Sequence, residues 1–365
     1  MNNPGAQWHL DSPLSDVPKA VHGRLASYLA ESTSEFQHIG TPATTSMNVL
    51  KDFIMGGGKR VRSTFAWAGI RAGLESTSAP VDELDTESLL TAISAFEFIQ
   101  ACALIHDDIV DQSDTRRGHP TAHRRFEAIH RESGWHGDSH HYGISQAILC
   151  GDLAFSWADD MFNSCGLPPH IVHRARDPWR AMRTEVISGQ ILDLAVEANG
   201  SESVSDAMDV ITYKTASYTV ARPLHIGAAL TGASQATVDL LRGVGHDIGV
   251  AFQLRDDQLG VFGDPSVTGK PAGDDLRTGK RTTLINLALA AGGTGADELR
   301  RWLGTGEQVD LMRTIITDSG AQQQVEDLIE SHANRASSAI SSAGLSPQLT
   351  DELMALSTTL THRTF

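Results

Sequence analysis

The sequence lacks the material for a disulfide framework. Its 365 residues include only three cysteines, Cys102, Cys150 and Cys165. These have no metal-site spacing and leave an odd one over, which fits free thiols in a reducing compartment. It also lacks a basic surplus. Against 45 Asp and Glu stand 29 Lys and Arg, for a net charge of −16. No basic stripe is visible, so nucleic acid is not an expected partner. A polyanionic substrate would need local help from Lys, Arg or metal ions. The first residues show no basic region followed by an apolar core, so no signal peptide is expected. No apolar run is read as long enough to span a membrane. A cytoplasmic protein without an integral membrane segment is the expectation. Runs of alternating strand residues and short-period repeats are missing as well.

What is present is helical periodicity. Residues 1–14, rich in Pro, Asn and Ser, read as a flexible tail, and 15–365 as one domain. From Asp16 to His38, Val17, Val21, Leu25 and Leu29 recur at helical spacing. Glu87 to Asp111 is so evenly apolar that it reads as one buried central helix, with Thr86 as its expected cap. Ser205 to Leu230 is helical with a kink or break expected at Pro223. Further helical stretches run from Thr237 to Val261 and, after a Gly- and Pro-containing loop at 263–280, to Thr359. The fold class expected is all-α: one large bundle with its site in a central cavity between facing helices.

The chain is organised around Asp107-Asp108-Ile109-Val110-Asp111. On a helix, Asp107 and Asp111 share a face, about 6 Å apart along the axis. Such carboxylates repel unless a cation stands between them, and hard oxygens on an open face suit Mg²⁺ with bound phosphate. Arg116-Arg117-Gly118 follows closely, and guanidinium forks suit phosphate oxygens. A second acidic pair, Asp256-Asp257, follows Phe252-Gln253-Leu254. The two acidic helix ends are expected to face each other across one diphosphate. Gly56-Gly57-Gly58-Lys59-Arg60-Val61-Arg62 lets backbone approach an anion gripped by Lys59 and Arg62. It is not a P-loop, since the required frame is absent. Lys214-Thr215 sits in an apolar helix, where a Lys is rare unless paired. Lys270 and Lys280 lie on a loop able to close over a diphosphate. His130, His136, His140 and His141 fall in a polar segment read as an inserted, solvated surface loop rather than a zinc site.

Five motifs in this order make the sequence resemble the trans-isoprenyl diphosphate synthases, or polyprenyl synthetases, from about Val17 onward. They are Gly57 to Arg62; Asp107 to Asp111 with Arg116-Arg117-Gly118; Lys214-Thr215; Phe252-Gln253 with Asp256-Asp257; and Gly269-Lys270, Gly273, Asp275-Leu276 and Gly279-Lys280. The resemblance implies the isoprenoid synthase fold and a homodimer. It implies condensation of isopentenyl diphosphate with an allylic diphosphate (dimethylallyl, geranyl or farnesyl), releasing pyrophosphate. Three Mg²⁺ ions, which Mn²⁺ could replace, would be held by Asp107, Asp111 and Asp256, with Asp108 and Asp257 as auxiliary groups. Arg116, Lys214, Lys270 and Lys280 would hold the allylic diphosphate. Lys59, Arg62 and Arg117, assisted by Gln100, would hold the isopentenyl diphosphate. The Thr215 hydroxyl, Lys214 carbonyl and Gln253 side chain would face the allylic cation. Many members carry Asp where this chain has Gly260, and little loss is expected from that.

Product length is expected from the residues before Asp107. Ala103, Ile99 and Phe96 lie four, eight and eleven positions earlier, on roughly one helix face, and Cys102 sits beside Ala103. Farnesyl-producing relatives carry bulky aromatics four and five residues before the motif. The small Cys102 and Ala103 leave the tunnel open there, and Phe96, about 16 Å below Asp107, forms a deeper floor. The expected product is therefore geranylgeranyl diphosphate, C20, as in a geranylgeranyl diphosphate synthase. Rival readings are a farnesyl or C25 and longer synthase, a terpene cyclase, a non-catalytic synthase subunit and a plain acidic metal-binding protein.

Overall fold

The computed structural model describes residues 8–77, 82–264 and 273–361. In chain order its helices are α1 (Val17–Phe36), α2 (Thr41–Met55), α3 (Val61–Ser76), α4 (Thr86–Ser94), α5 (Phe96–Val110), α6 (Ala122–Glu132), α7 (Ser139–Asn163), α8 (Pro169–Asn199) and α9 (Val204–Val210). A π-helix (Ile211–Ala221) follows. Then come α10 (Arg222–Leu230), α11 (Gln235–Phe262), α12 (Asp274–Thr278), α13 (Thr283–Ala290), α14 (Gly293–Trp302), α15 (Val309–Asp318), α16 (Ala321–Ser342) and α17 (Pro347–Thr361). Two-residue strands, β1 (Thr115–Arg116) and β2 (His119–Pro120), form the only sheet among the described residues. The fold is all-α, as the periodicity requires. Its contacts gather into two compact units: Met1–Trp67 with Ser78–Arg174, and Ala68–Thr77 with Ala175–Phe365.

In the first unit, α5 and α6 pack on α7, and α4 packs on α1 and α7. An aromatic trio ties three helices together. Phe98 of α5 meets Tyr28 of α1 at 5.4 Å and Trp157 of α7 at 6.1 Å, both edge-on, the arrangement that ring quadrupoles favour. The segment expected as one helix from Glu87 is two. At Ala95 the bonds tighten to three-residue spacing, Ala95 N to Ala92 O and Phe98 N to Ala95 O, which separates α4 from α5. The cap is Asp85 rather than Thr86: its carboxylate accepts from Ser88 N at 2.8 Å. Taken together, Thr86–Val110 is long and apolar enough by composition to cross a membrane, contrary to expectation. Within its most apolar window, 78% is buried in the protein, as a core helix must be.

Two further expectations need correcting. Residues 8–14, assigned to a flexible tail, are packed: Trp8 lies 4.9 Å from Trp67, Trp67 Nε1 donates to Ser12 O, and Leu14 is buried. The histidine segment is a loop only at residues 133–138, which include His136; the other histidines lie on helices. His130 is buried on α6 against Tyr142 of α7 and Trp135, and Asp138 caps α7. Apolar contact for the imidazole outweighed the local polarity. His136, His140 and His141 are exposed, as expected.

In the second unit, α11 is the axis. It packs on the π-helix, on α10 and on α16, around a core that includes Ala216, Val250, Leu254, Leu284 and Ile329. Near Pro223 the helix changes type rather than stopping: Ala221 and Arg222 are both right-handed helical where the π-helix passes into α10. Proline has no N–H to give, so it sits in the first turn of α10, directly after the π-helix. Arg255, beside the second acidic pair, is buried and turned away: its guanidinium binds Glu326 of α16 and Gln258.

His225 on α10 yields a pH dependence. Burial, then Arg222 and Arg242, lower its pKa from 6.5 to about 4. Its Nδ1 accepts from Arg222 Nη1 at 3.3 Å, which the neutral ring allows. Between those two values the unfolded chain binds more protons than the folded one, so stability falls as pH drops through that window. His225→Gln removes this contribution, on the order of 2 kcal/mol at the acid end. Thermal melts from pH 4 to 7 should therefore show a shallower pH slope for the variant than for the parent. Equal slopes would contradict the assignment.

Candidate active site

The first acidic motif occupies the last turn of α5, and Asp111 is its C-cap. The helix carbonyls there carry about half a negative charge, which adds to the repulsion among the carboxylates. Asp107 is half-buried, Asp111 exposed and Asp108 fully buried. Arg116 answers Asp108: Nε and Nη2 both lie 2.7 Å from Oδ1, and Nη2 lies 3.7 Å from Asp107 Oδ2. Burial still outweighs Arg116 and raises the Asp108 carboxyl above its usual pKa. Asp108 Oδ2 is buried with no hydrogen-bond partner. A hard oxygen left in this state beside two further carboxylates fits a divalent cation with oxygen ligands. Among the described residues no three His, Cys, Asp or Glu side chains converge as a complete metal cage. Mg²⁺, which retains waters and takes substrate phosphate oxygens, requires none.

The arginine pair is displayed by the β1–β2 hairpin. Arg116 pairs with His119 across it, so Arg117 and Gly118 form a two-residue turn with φ of 53° and 77°. Two positive φ values are the type I′ requirement, and Gly118 suits one of them. At the tip, Arg117 Nη1 donates to Gly57 O at 2.7 Å. The hairpin and the Gly57–Arg62 loop, far apart in sequence, therefore meet.

That loop is fixed by a residue whose role sequence reasoning missed. Arg60 is buried at positive φ, and its Nη1 donates to Glu97 Oε2 at 2.7 Å. Its Nη2 bonds Ile54 O, and Ser63 Oγ bonds Glu97 Oε1 at 3.1 Å. The loop is thus pinned to α5, with Lys59 left exposed and Arg62 half-buried. A lone Glu inside the apolar run read as one helix from Glu87 was the available signal. Gln100 lies one turn further along α5, half-buried.

Below Asp107, Ala103 is half-buried, and Cys102, Ile99 and Phe96 are buried. Burial and the nearby Asp152 push the Cys102 thiol up to about 12, so it is a neutral, small apolar group. His106 clamps the motif to α7 through Nε2 and Ile148 O at 3.1 Å. Gly151 makes that possible, since a Cβ there would lie 2.2 Å from His106 Nε2.

The second unit holds the other residues. Lys214 lies in the π-helix and its ammonium binds Asp193 of α8. Lys280 Nζ lies 3.1 Å from Glu197 Oε1 and 4.0 Å from Asp193 Oδ2. Two lysines far apart in sequence thus converge on one helix. Thr215 and Asp256 are half-buried. Gln253 Nε2 donates to Asp257 Oδ1 at 2.7 Å. Burial, then Asp275, push the buried Asp257 carboxyl well above the usual carboxylate range against that hydrogen bond. The departure at Gly260 has a steric counterpart: a Cβ there would lie 2.1 Å from Asp275 Oδ2, so the carboxylate of α12 occupies the space. Lys270 lies outside the described residues.

Two helices that carry aspartate pairs toward their C-terminal ends, with Lys- and Arg-bearing loops in each unit, define a diphosphate-handling enzyme of the all-α class. The sequence profile described as polyprenyl synthetase matches residues 44–318, and the chain belongs to that family. It is a trans-prenyltransferase. It is 32% identical over 291 residues to the geranylfarnesyl diphosphate synthase of Aeropyrum pernix, covering 78% of this chain and 83% of that one. It is 28% identical over 279 residues to the geranylgeranyl diphosphate synthase of Sulfolobus acidocaldarius, covering 76% and 74%. A crystal structure of geranylgeranyl pyrophosphate synthase from Corynebacterium glutamicum, complexed with isoprenyl diphosphate and magnesium, superposes with a TM-score of 0.90. Its identity is 44%, over 96% of this chain and 99% of that one.

The Arg60–Glu97 pair is 5% and 6% exposed. Glu97→Ala would strand a buried guanidinium, at a cost on the order of 3–5 kcal/mol. Chemical denaturation should show a lower unfolding midpoint for Glu97→Ala, and a smaller loss for the double variant Arg60→Met/Glu97→Met. Equal losses would exclude a stranded charge as the cause.

Proposed function

We propose that this prenyltransferase makes geranylgeranyl diphosphate, C20, from isopentenyl diphosphate and dimethylallyl, geranyl or farnesyl diphosphate. The observation that carries the chain-elongation reading is the Arg117–Gly57 hydrogen bond. It brings Arg117 to the Gly57–Arg62 loop while Arg116 of the same hairpin faces the acidic motif, which suits a second diphosphate beside the first. A terpene cyclase, with one diphosphate to bind, has no use for such a pair. The corynebacterial likeness supports the same reading.

In this reading Lys59, Arg62 and Arg117, with Gln100, hold the isopentenyl diphosphate. Arg116, Lys214, Lys270 and Lys280 neutralise the allylic diphosphate. Asp107, Asp111 and Asp256 hold Mg²⁺, with Asp108 and Asp257 supporting them. Bound Mg²⁺, in the three-ion set expected, supplies charge that stabilises the departing diphosphate. The allylic C–O bond breaks and its electron pair leaves with the pyrophosphate. The Lys214 carbonyl, the Thr215 hydroxyl and Gln253 face the resulting cation. With the Gln253 amide N–H engaged by Asp257, its carbonyl oxygen is the end that suits a cation. The alkene of isopentenyl diphosphate attacks, and the proton lost from the adduct goes to the released pyrophosphate. No protein base is needed.

Chain length rests on Cys102 and Ala103, which leave room beside α5, and on Phe96 and Ile99, which are buried deeper. We also propose a cytoplasmic homodimer acting through residues 15–365. The three buried free thiols support a reducing compartment. Exposed Ile148 and Leu149 on α7 support a subunit contact.

Incubation with Mg²⁺, isopentenyl diphosphate and each allylic diphosphate should release pyrophosphate and accumulate a C20 prenyl diphosphate. Termination at C15, or growth past C25, would refute the length assignment. A cyclic hydrocarbon formed without isopentenyl diphosphate would refute chain elongation. Ala103→Phe should move the main product to C15, read by chromatography of the dephosphorylated alcohols.

A further inference from the structure

The π-helix at Ile211–Ala221 runs for 11 residues. Such helices occur mostly as single turns, because their five-residue bonding is intrinsically weak, so a run of this length needs support from outside. The neighbouring helices supply it. On α8, a Cβ at Gly189 would lie 2.3 Å from Lys214 N. On α11, a Cβ at Gly245 would lie 2.5 Å from Ala221 Cα, and one at Gly249 would lie 2.4 Å from Ala216 Cα. Three glycines therefore make room for the wider backbone on two sides.

Space alone does not hold a register. Glu185 lies one turn before Gly189 on α8. Its Oε2 accepts from Ser217 Oγ at 2.5 Å and from Arg222 Nε at 2.8 Å, and its Oε1 accepts from Arg222 Nη2. Ser217 is inside the π-helix and Arg222 is the residue that ends it. The pair is mostly buried, at 12% and 20% exposure, and the fork of Arg222 fits a carboxylate in only one plane. One turn beyond Gly189, Asp193 takes the Lys214 ammonium. Positions 185, 189 and 193 form one face of α8 at four-residue spacing. That face fixes the end of the π-helix, admits its backbone and pairs its lysine.

We propose that Glu185 and Arg222 are positioning residues for the condensation, holding the π-helical register that presents Lys214 and Thr215. This rests on the reading that Lys214 and Thr215 face the diphosphate and the cation. Relaxation of one π turn to an α turn rotates the residues on one side of it against those on the other; with α10 held against α11, that would carry the Thr215 hydroxyl and Lys214 carbonyl away from the cation. An unshielded cation bonds to water, which loses a proton and leaves a prenyl alcohol.

The test compares Glu185→Gln and the milder Arg222→Lys with Lys214→Ala and Thr215→Ala in the full chain. Farnesyl diphosphate, isopentenyl diphosphate and Mg²⁺ are supplied, and kcat, both KM values and the ratio of farnesol to C20 product are measured. Hydrogen exchange of amides 211–221 is followed in parallel. We expect Glu185→Gln to lower kcat on the order of tenfold, leave the KM for isopentenyl diphosphate within about twofold and raise the farnesol fraction. Arg222→Lys should do the same to a smaller degree. Both should speed amide exchange at 211–221 and not in α5. If Lys214→Ala and Thr215→Ala lower kcat while Glu185→Gln and Arg222→Lys change neither the farnesol fraction nor the exchange, the positioning role is wrong. If Lys214→Ala and Thr215→Ala leave kcat unchanged, the underlying catalytic reading fails instead. Should Glu185→Gln fail to fold, Arg222→Lys decides by the same two measurements.

Discussion

Carboxylates at the end of a buried helix repel one another and the carbonyls of the helix itself, and much of the first unit counters that repulsion. Asp108 is taken fully out of water and answered by Arg116. Arg116 can reach it because the chain reverses directly after α5, where Gln112 has a φ of 51° and Ser113 N bonds Asp108 O. The Arg117–Gly118 turn that follows carries Arg117 to the glycine loop, and that loop is tied back to α5 by the buried Arg60–Glu97 pair. Cationic loops and the acidic helix end are thus parts of one mechanical unit. The residual conflict shows in the raised Asp108 carboxyl and its unsatisfied oxygen. A site that is electrostatically incomplete without cations suits an enzyme whose substrate is itself an anion.

The second unit solves a different problem. Under the proposed roles of Lys214 and Thr215, it displays a lysine, a carbonyl and a hydroxyl from a stretch of backbone that is π-helical rather than α-helical. Glycine at three places admits the wider helix, while one glutamate and one arginine fix its end. Lys214 and Lys280 both reach acids on α8, so their charges are held in place and partly neutralised before any ligand arrives. At Gly260 the missing side chain is matched by the Asp275 carboxylate in the adjoining space.

The helices were legible because apolar residues at three- and four-residue spacing must share a buried face. Where the reading failed, a competing contact won, in some places local and in others far away in sequence. His130 lies in a polar stretch, yet Trp135 and Tyr142 cover it. Trp8 lies in a segment that looks like a tail, yet Trp67 receives it. Asp85 outcompeted Thr86 as the cap because its carboxylate takes both the amide and the hydroxyl of Ser88. Arg60 was hidden inside a motif that seemed wholly ligand-directed, and its partner is visible only once α5 is folded beside it.

Residue types and their order determined the class of chemistry. Aspartate pairs after apolar runs, with Lys and Arg in fixed sequence around them, already specify anion and cation binding, because charge depends on composition and local spacing. The small residues before Asp107 belong to the same category, since a helix alone places them on one face. Tertiary structure decided which charges are spent on the fold. Arg60, Arg255 and Asp108 look like their neighbours in sequence, yet burial pairs them with Glu97, Glu326 and Arg116. It also decided the π-helix, since five-residue bonding costs more than it returns until α8 and α11 press on it. The acidic motif around Asp107 was therefore readable as a motif, whereas its partition into a half-buried Asp107, an exposed Asp111 and a buried Asp108 required the folded helix.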